Sequence, residues 1–432
     1  MTQADATHRA IEAVWRIESA KLIAAVARML RDVGQAEELA QDALVAALEQ
    51  WPLKGLPDNP AAWLMTTAKR RAIDVLRQRR MADDKHEAIG LDLEALGEAF
   101  VPDFSDSLDD DIGDDLLRLI FTACHPVLST EARVALTLRL LGGLSTGEIA
   151  RAFLVPEPTI AQRIVRAKRT LSEARVPFEM PQAAERAERL GSVLEVIYLV
   201  FNEGYSATAG DDWMRPGLCE DAMRLGRVLA ELTPDEPEVQ GLLALMEIQA
   251  SRTAARTDAK GNPILLPDQN RARWDPLLIR RGLAALARAE ALTAHEGYGP
   301  YALQAAIAAC HARALTADDT DWPRIAALYD ALSQLAPSPV VELNRAVALA
   351  MAFGPSAGLE LVDALREEPA LAHYHLLPSV RGDLLVRLGR HAEARAEFER
   401  AAALTRNERE RVFLLSRAAD CRRVVEPPAS LQ

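Results

Sequence analysis

Apolar residues recur at helical spacing along much of this chain, and residues 144–169 show the pattern most clearly. Ser145 stands where a helix N-cap belongs, and Glu148 three residues later completes a capping box. Pro156 ends this first helix, because proline lacks the backbone donor and extends the residue before it. The pattern resumes near residue 157, so the stretch predicts a helix, a short turn and a second helix.

The second predicted helix has two faces of opposite character. We expect its apolar positions to pack inward; they are Ile160, Ile164, Val165 and Ala167. The residues predicted to contact DNA are Thr159, Gln162, Arg163, Arg166, Lys168 and Arg169. A short helix with a polar, basic outer face is what entry into a DNA major groove requires. An ordinary amphipathic helix pair is the alternative, but the cap, the turn length and the basic face together favour DNA binding.

A second basic helix is predicted upstream, over residues 63–80. Its cations, which suit contact with phosphates, are Lys69, Arg70, Arg71, Arg77, Arg79 and Arg80. A loop rich in proline and glycine, residues 51–60, precedes it, and residues 34–51 before that predict a helix with an acidic outer face. The residues of this face, which suit a basic protein partner, are Glu37, Glu38, Gln41 and Asp42. Each helix taken alone would also fit a solvated bundle of uneven charge.

Together these segments resemble a bacterial extracytoplasmic-function sigma factor, over residues 8–175. Residues 36–51 are similar to the segment with which sigma region 2 grips the clamp helices of RNA polymerase. Residues 59–80 resemble the segment that opens and reads the minus-ten promoter element. Residues 144–171 are similar to the region 4 helix-turn-helix that reads the minus-thirty-five element. The three motifs are strongly specific in this order and spacing.

Length and composition limit the number of domains and the classes of protein to which the chain can belong. At 432 residues, with 49% hydrophobic and 26% charged residues, the chain should hold two to four domains with proper cores. No apolar run approaches the ~20 residues of a membrane span and no signal-peptide pattern occurs, so we expect a cytoplasmic protein without a membrane partner. The cysteines are far apart and are expected to be reduced thiols; they are Cys124, Cys219, Cys310 and Cys421. No metal or cofactor is predicted, because no paired ligand spacing or Gly-rich phosphate loop occurs.

The net charge of −13 is unevenly distributed. Residues 81–115 hold thirteen acidic residues and one lysine, and residues 81–111 are predicted to be a linker. In sigma factors this linker threads the RNA path of the polymerase, so the resemblance implies that an acidic strand could mimic nucleic acid there. A spacer kept soluble by its charge explains the composition equally well.

The chain beyond residue 175 is strongly helical and is unusual for a minimal sigma factor. Residues 376–405 place small and aromatic residues at tetratricopeptide spacing, namely Gly382, Leu385, Gly389, Ala394, Phe398 and Ala401. Residues 343–365 carry a degenerate copy. A stack of helix pairs with a concave face is therefore predicted, and a plain helical bundle is the alternative.

Two other segments of this extension stand out. Residues 189–208 predict a long apolar helix that ends near Gly204, a residue suited to a left-handed stop. Residues 255–275 predict a long polar loop, and long ordered loops are uncommon unless they have a role. The side chains of an intramolecular latch there would be Asp268, Gln269, Arg271, Arg273, Trp274 and Asp275.

The resemblance also reaches the extension. Residues 201–208 and 376–390 are similar to signatures of a sigma-factor subgroup with a long C-terminal tetratricopeptide-like extension. In that subgroup the extension, rather than a separate membrane-bound anti-sigma factor, is thought to govern activity.

The sequence thus predicts an all-α protein: two small helical sigma domains joined by an acidic linker, followed by an α-solenoid-like domain. The predicted boundaries are residues 8–80 for region 2, 112–175 for region 4 and 182–425 for the regulatory extension. Core RNA polymerase and promoter DNA are the implied partners, and the chain is not expected to be an enzyme. A contact between residues 182–230 and region 4, or a protein partner on the extension, is also predicted.

Two other functions compete with this one. A helix-turn-helix regulator with a helical sensor domain would act independently of polymerase, but would leave the acidic and basic helices unexplained. An enzyme in the extension, such as a hydrolase, would need convergent polar residues that the sequence does not display.

Overall fold

The computed structural model describes residues 3–87, 112–207, 213–259, 261–293 and 297–425. Within these ranges the regular structure is helical, apart from one isolated antiparallel bridge between Thr257 and Pro263. The all-α prediction is therefore confirmed. None of the helices in the described ranges combines the length and hydropathy needed to cross a membrane. The chain divides into two compact units, Met1–Ile197 and Tyr198–Gln432.

Three long helices open the first unit: α1 (Gln3–Leu30), α2 (Val33–Lys54) and α3 (Pro60–Glu87). Asp32 caps α2 by accepting the N–H of Gln35 at 3.0 Å, and Gly55, at a φ of 89°, follows its last residue. Fully buried alanines fill the space between the helices; they include Ala24, Ala27, Ala36, Ala40 and Ala43. Trp51 and Trp63 pack edge to face with ring centroids 5.4 Å apart, which ties α2 to α3.

The helix α3 extends further than the sequence pattern predicts. Residues 81–87, expected to begin the acidic linker, continue the helix to Glu87. The rest of the predicted linker, residues 88–111, lies outside the described residues.

Four shorter helices follow in the first unit: α4 (Ile112–Ala123), α5 (Thr130–Leu140), α6 (Thr146–Phe153) and α7 (Glu157–Glu173). Their apolar faces meet in a core that includes Leu119, Phe121, Leu136, Leu138, Ile149, Ile160 and Ile164. A long helix, α8 (Ala183–Tyr205), comes next, and the division between the two units falls within it, after Ile197.

Ten further α-helices make up most of the described part of the second unit. They are α9 (Pro216–Leu232), α10 (Pro237–Ala250), α11 (Pro276–Leu292), α12 (Pro300–Arg313), α13 (Trp322–Leu335), α14 (Pro339–Phe353), α15 (Pro355–Ala364), α16 (Leu376–Arg387), α17 (His391–Leu404) and α18 (Glu408–Val425). Several begin with proline, whose missing N–H is not needed in a first turn. Consecutive helices pack on one another along the chain.

The helices α16 and α17 pack as the tetratricopeptide spacing predicts. Gly382 lies against Phe398, because a Cβ at Gly382 would sit 2.8 Å from the Phe398 ring. Gly389 makes the turn between the helices with a φ of 75°. The degenerate copy also has a glycine where two helices touch, since a Cβ at Gly358 would lie 2.5 Å from the carbonyl oxygen of Ala346. Small residues thus stand where helix pairs touch, and the predicted tetratricopeptide-like fold is confirmed.

The predicted left-handed stop at Gly204 is wrong. The helix α8 continues through this residue to Tyr205, and Gly204 has no positive φ. A Cβ there would lie 2.7 Å from the backbone nitrogen of Cys219, so the glycine is required by close packing against α9.

The polar segment 255–275 is ordered around short 3-10 helices, with residue 260 outside the described residues. Arg271 donates to the carbonyl oxygens of His311 at 2.5 Å and Ala314 at 3.0 Å, which fastens the segment to the end of α12. Of the residues predicted to form a latch, Arg271 is thus bonded to another helix. Asp275 has a different role, because it caps α11 by accepting the N–H of Leu277 at 2.8 Å.

Candidate nucleic-acid and polymerase interface

The helices α6 and α7 form the predicted helix-turn-helix. Its capping box is present: Ser145 Oγ accepts the N–H of Glu148 at 3.2 Å, and Glu148 Oε2 accepts the N–H of Ser145 at 2.7 Å. Leu154 turns the chain with a left-handed φ of 51°. Pro158 then lies in the first turn of α7. The cap and the turn together set where the second helix begins.

Most of the predicted DNA-facing residues of α7 are accessible. Thr159, Gln162 and Arg166 are exposed, and Arg163 is half-buried. Arg163 and Arg166 line a groove of about 460 Å³ beside the start of α5. The prediction that Val165 packs inward is wrong, because its side chain is 64% exposed. Val165 follows Gln162 by three residues, so the two share the solvent face of the helix.

The two cations near the end of α7 are both paired. Arg169 Nε lies 2.6 Å from Glu173 Oε1, and both side chains are largely exposed. An exposed pair of this kind contributes little to stability, so Arg169 can leave Glu173 for a phosphate at little cost. Lys168 pairs with Glu37 of α2 and keeps 21% of its side chain exposed. The prediction that Lys168 projects freely outward is therefore wrong, because a carboxylate of another helix faces it.

The basic helix α3 presents cations of differing accessibility. The exposed ones are Arg70, Arg77, Arg79 and Arg80. Arg71 is half-buried, with Nη1 3.0 Å from Asp42 Oδ2 of the acidic helix. Lys69 is also half-buried, and burial together with the nearby charge of Arg28 lowers its pKa, against the opposing effect of Asp115. Lys69 is therefore less accessible to DNA than the exposed arginines of this helix in this conformation.

The predicted acidic face of α2 divides in two. Glu38 and Asp42 are exposed and Gln41 is half-buried. Glu37, by contrast, is only 2% exposed and pairs with two cations from other helices. Arg139 Nε of α5 lies 2.6 Å from its carboxylate, and Lys168 pairs with the other oxygen. The prediction that Glu37 lies on a free outer face is therefore wrong.

Ion pairs, including the two of Glu37, join α1–α3 to α4–α7, and we call this boundary the seam. Its pairs are Arg139–Glu37, Lys168–Glu37, Arg28–Asp115 at 3.2 Å and Arg16–Glu148 at 3.4 Å. Asp115 is 2% exposed, as Glu37 is, so two buried carboxylates lie at the seam. Sequence reasoning missed Arg139 and Asp115. The available signal was a charge on a helix face that is otherwise apolar.

The first half of α8 bonds to the helices of the predicted region 4. Ser192 Oγ donates to the carbonyl of Cys124 at 2.6 Å, Arg189 Nη2 donates to the carbonyl of Phe121 at 2.9 Å, and Arg133 Nη1 lies 3.1 Å from Glu195 Oε2. These contacts lie within the first unit, and they explain why that unit extends past residue 182 to Ile197.

All four cysteines are buried and unpaired. Burial raises the pKa of Cys124 to about 11 and that of Cys219 to about 12. Both are therefore protonated and poorly reactive at neutral pH. No cluster of ligands that could hold a metal ion occurs in the part of the chain that the structure describes.

An acidic helix, a basic helix and a helix-turn-helix lie within one unit, a combination typical of a helix-turn-helix DNA-binding protein. Comparison with known families agrees with this class. Sigma-70 region 2 matches residues 17–81, and Sigma-70 region 4 matches residues 118–171. A family of unknown function (DUF6596) matches residues 189–290, which include most of α8.

Similarity to curated proteins identifies the family within this class. The ECF RNA polymerase sigma factor SigK of Mycobacterium ulcerans is 31% identical over 150 residues, 34% of this chain and 75% of the relative. The chain therefore belongs to the extracytoplasmic-function (ECF) RNA polymerase sigma factors. It is also 45% identical over 392 residues to the uncharacterized protein R00370 of Rhizobium meliloti, with 90% of each chain covered. The likeness to the solved structure of yeast Tom70, covering 98% of this chain and 86% of that one at 12% identity and a TM-score of 0.30, is too weak to bear on function.

Proposed function

We propose that this chain directs core RNA polymerase to specific promoters and that its extension governs that activity. The observation that carries the proposal is the presence of three exposed charged surfaces in one unit. The acidic face of α2, through Glu38 and Asp42, would bind core polymerase. The cations of α3 would contact the minus-ten element, and Arg163 and Arg166 of α7 the minus-thirty-five element. The chain itself would catalyse no step, and it would act in the cytoplasm with the polymerase.

Run-off transcription tests the first part. Core polymerase is incubated with promoter DNA alone, with the full chain, and with the full chain carrying Arg163→Ala and Arg166→Ala. The proposal expects transcripts only with the unaltered chain or, much reduced, with the variant. A chain that binds its DNA site equally well without core polymerase and yields no transcript with it would instead be an independent helix-turn-helix regulator.

The contacts of α8 support a role for the extension. Glu195 pairs with Arg133 of α5, and Ser192 donates to Cys124 in the loop before α5, so the segment that leads into the extension contacts the predicted region 4. A change in the extension that moved α8 would therefore alter the position of the helix-turn-helix.

A charge reversal tests whether the extension controls transcription or is only attached to the sigma regions. Glu195→Arg in the full chain replaces the carboxylate that lies 3.1 Å from Arg133 with a cation and should loosen this contact by repulsion. The matched control is Glu188→Arg, an exposed position of the same helix. A change in run-off transcription with Glu195→Arg alone supports control, an increase indicating inhibition and a decrease a requirement. Equal activity of both variants and the unaltered chain would contradict it.

A further inference from the structure

Three arginines of the second unit share aromatic rings, and none of them lies within ion-pair distance of a carboxylate in the described ranges. Arg252 and Arg256 both lie over the ring of Tyr205, at 5.8 Å and 3.5 Å from its centroid. Arg252 and Arg271 both lie over the ring of Trp274, at 5.8 Å and 4.6 Å. None of the three forms an ion pair with a side chain of the described ranges. We call Arg252, Arg256 and Arg271 the arginine cluster.

The hydrogen-bond partners of the arginine cluster are neutral, and one exposed carboxylate, Asp319, acts on Arg271 through its charge without forming an ion pair. Arg256, only 6% exposed, donates to the carbonyl of Tyr205 and also lies 4.5 Å from the ring centroid of Trp213. Arg252 donates to the hydroxyl of Tyr205 at 2.6 Å, and Arg271 donates to carbonyl oxygens at the end of α12. Carbonyls and rings orient guanidinium groups, but they do not neutralise three like charges in one place. Buried charges in proteins are normally paired.

A cavity of about 220 Å³ opens beside the arginine cluster. Arg271 contributes to its wall together with apolar groups and one hydroxyl; the others are Leu266, Pro267, Thr320, Trp322 and Met351. The lining also includes His311 and one acid, the exposed Asp318. The cavity therefore offers a cation at one side and apolar walls elsewhere. Its volume is below the roughly 300–1,000 Å³ of sites for drug-sized ligands.

We propose that the arginine cluster and this cavity bind a small organic anion, with its carboxylate or phosphate group at Arg271 and its apolar part in the cavity. A bound anion would supply the negative charge that the cluster lacks, and a guanidinium recognises either group through paired N–H donors. The site lies in the extension and involves no residue of the sigma regions. Its ligand would therefore bind whether or not the extension governs transcription.

Titration of the full chain with four probes tests the site, with tryptophan fluorescence as the readout because Trp274 and Trp322 lie at it. The probes are benzoate, phenyl phosphate, inorganic phosphate and benzamide, the last being a neutral analogue of benzoate. We expect saturable binding of benzoate or phenyl phosphate, and the tighter of the two identifies the anionic group. Benzamide should bind at least about tenfold more weakly, because it lacks the charge. Equal binding of benzamide, no saturation by any anion, or phosphate alone binding as tightly as phenyl phosphate would overturn the proposal.

A pair of variants locates the binding. Arg271→Gln removes the cation but keeps a donor, and it should weaken binding of the preferred anion about tenfold or more. Arg273→Gln, two residues away on the same segment and exposed, is the matched control and should bind as the unaltered chain does. Equal affinities of the two variants would contradict the assignment.

The imidazole of His311 provides a readout that needs no variant. Burial and the charges of Arg252 and Arg271 lower its pKa to about 4. An anion bound at Arg271 offsets those charges, so the pKa of His311, followed by NMR, should rise with benzoate or phenyl phosphate and stay unchanged with benzamide. A pKa that does not move on saturation with the anion would place the ligand elsewhere and overturn the proposal.

Discussion

Arg163 and Arg166 are the arginines of α7 that form no ion pair within the described residues, and they lie three residues apart beside the groove at α5. Replacing either with alanine should weaken promoter binding by about 1–3 kcal/mol if it reads a base edge. The measurement is the affinity of the holoenzyme for labelled promoter DNA. Arg169→Ala is the contrasting variant, because the loss of a phosphate contact should weaken binding to all sequences and flatten its salt dependence. Unchanged promoter affinity in the Arg163→Ala, Arg166→Ala double variant would refute the assignment.

Glu37 shows how one buried carboxylate depends on its partners. Glu37→Gln leaves Arg139 and Lys168 facing a neutral group, so the free energy of unfolding should fall. Breaking a buried pair costs about 3–5 kcal/mol, and we expect the lower end because both cations keep about a fifth of their side chains exposed. Urea unfolding measures the loss. Glu38→Gln, the exposed neighbour, is the control and should change stability by less than about 0.5 kcal/mol.

At the scale of the element, α2 retains an acidic surface although Glu37 does not belong to it. Glu38→Lys with Asp42→Lys should leave circular dichroism unchanged and abolish co-purification with core polymerase, because like charges would face the basic partner. The change at Asp42 also removes its pair with Arg71, which is half-exposed and contributes little to stability. Glu49→Lys, an exposed position of the same helix, should retain co-purification. If the double variant still co-purifies with polymerase, this face is only a solvated surface.

At the scale of the whole molecule, an ion pair at the seam of the first unit joins a residue predicted to bind polymerase to a residue predicted to bind DNA. Glu37, predicted to bind polymerase, and Lys168, predicted to touch DNA, pair with one another. Neither is available to an outside partner in this arrangement. We therefore expect the seam to separate when core polymerase binds.

Fluorescence energy transfer measures that separation. Labels on cysteines introduced at Val45 of α2 and Ser172 of α7, both exposed, should move apart when core polymerase is added. Labels at Ile17 of α1 and Val45 are the control pair and should keep their distance. The native cysteines are buried, with raised thiol pKa values, so they should react slowly with the labels. An unchanged distance across the seam on polymerase binding would contradict the expectation.

The sequence by itself determined the elements and much of their order, because caps, prolines and helical periodicity act over a few residues. The capping box at Ser145, the turn before α7 and the contact of Gly382 with Phe398 followed from local pattern alone. The sites of close helix contact were also predictable in the extension, since only small residues recur at that spacing.

Only the tertiary structure decided which charged and small residues face another element. Glu37 and Lys168 carry the same charges whether they meet solvent or each other, so no local pattern distinguishes the two cases. Gly204 suits either a helix stop or close packing, and the position of Cys219 selects packing. The arginine cluster is likewise invisible in sequence, because Arg252, Arg256 and Arg271 come together through rings at Tyr205 and Trp274. Long-range partners are set by how helices pack, and packing depends on the whole chain.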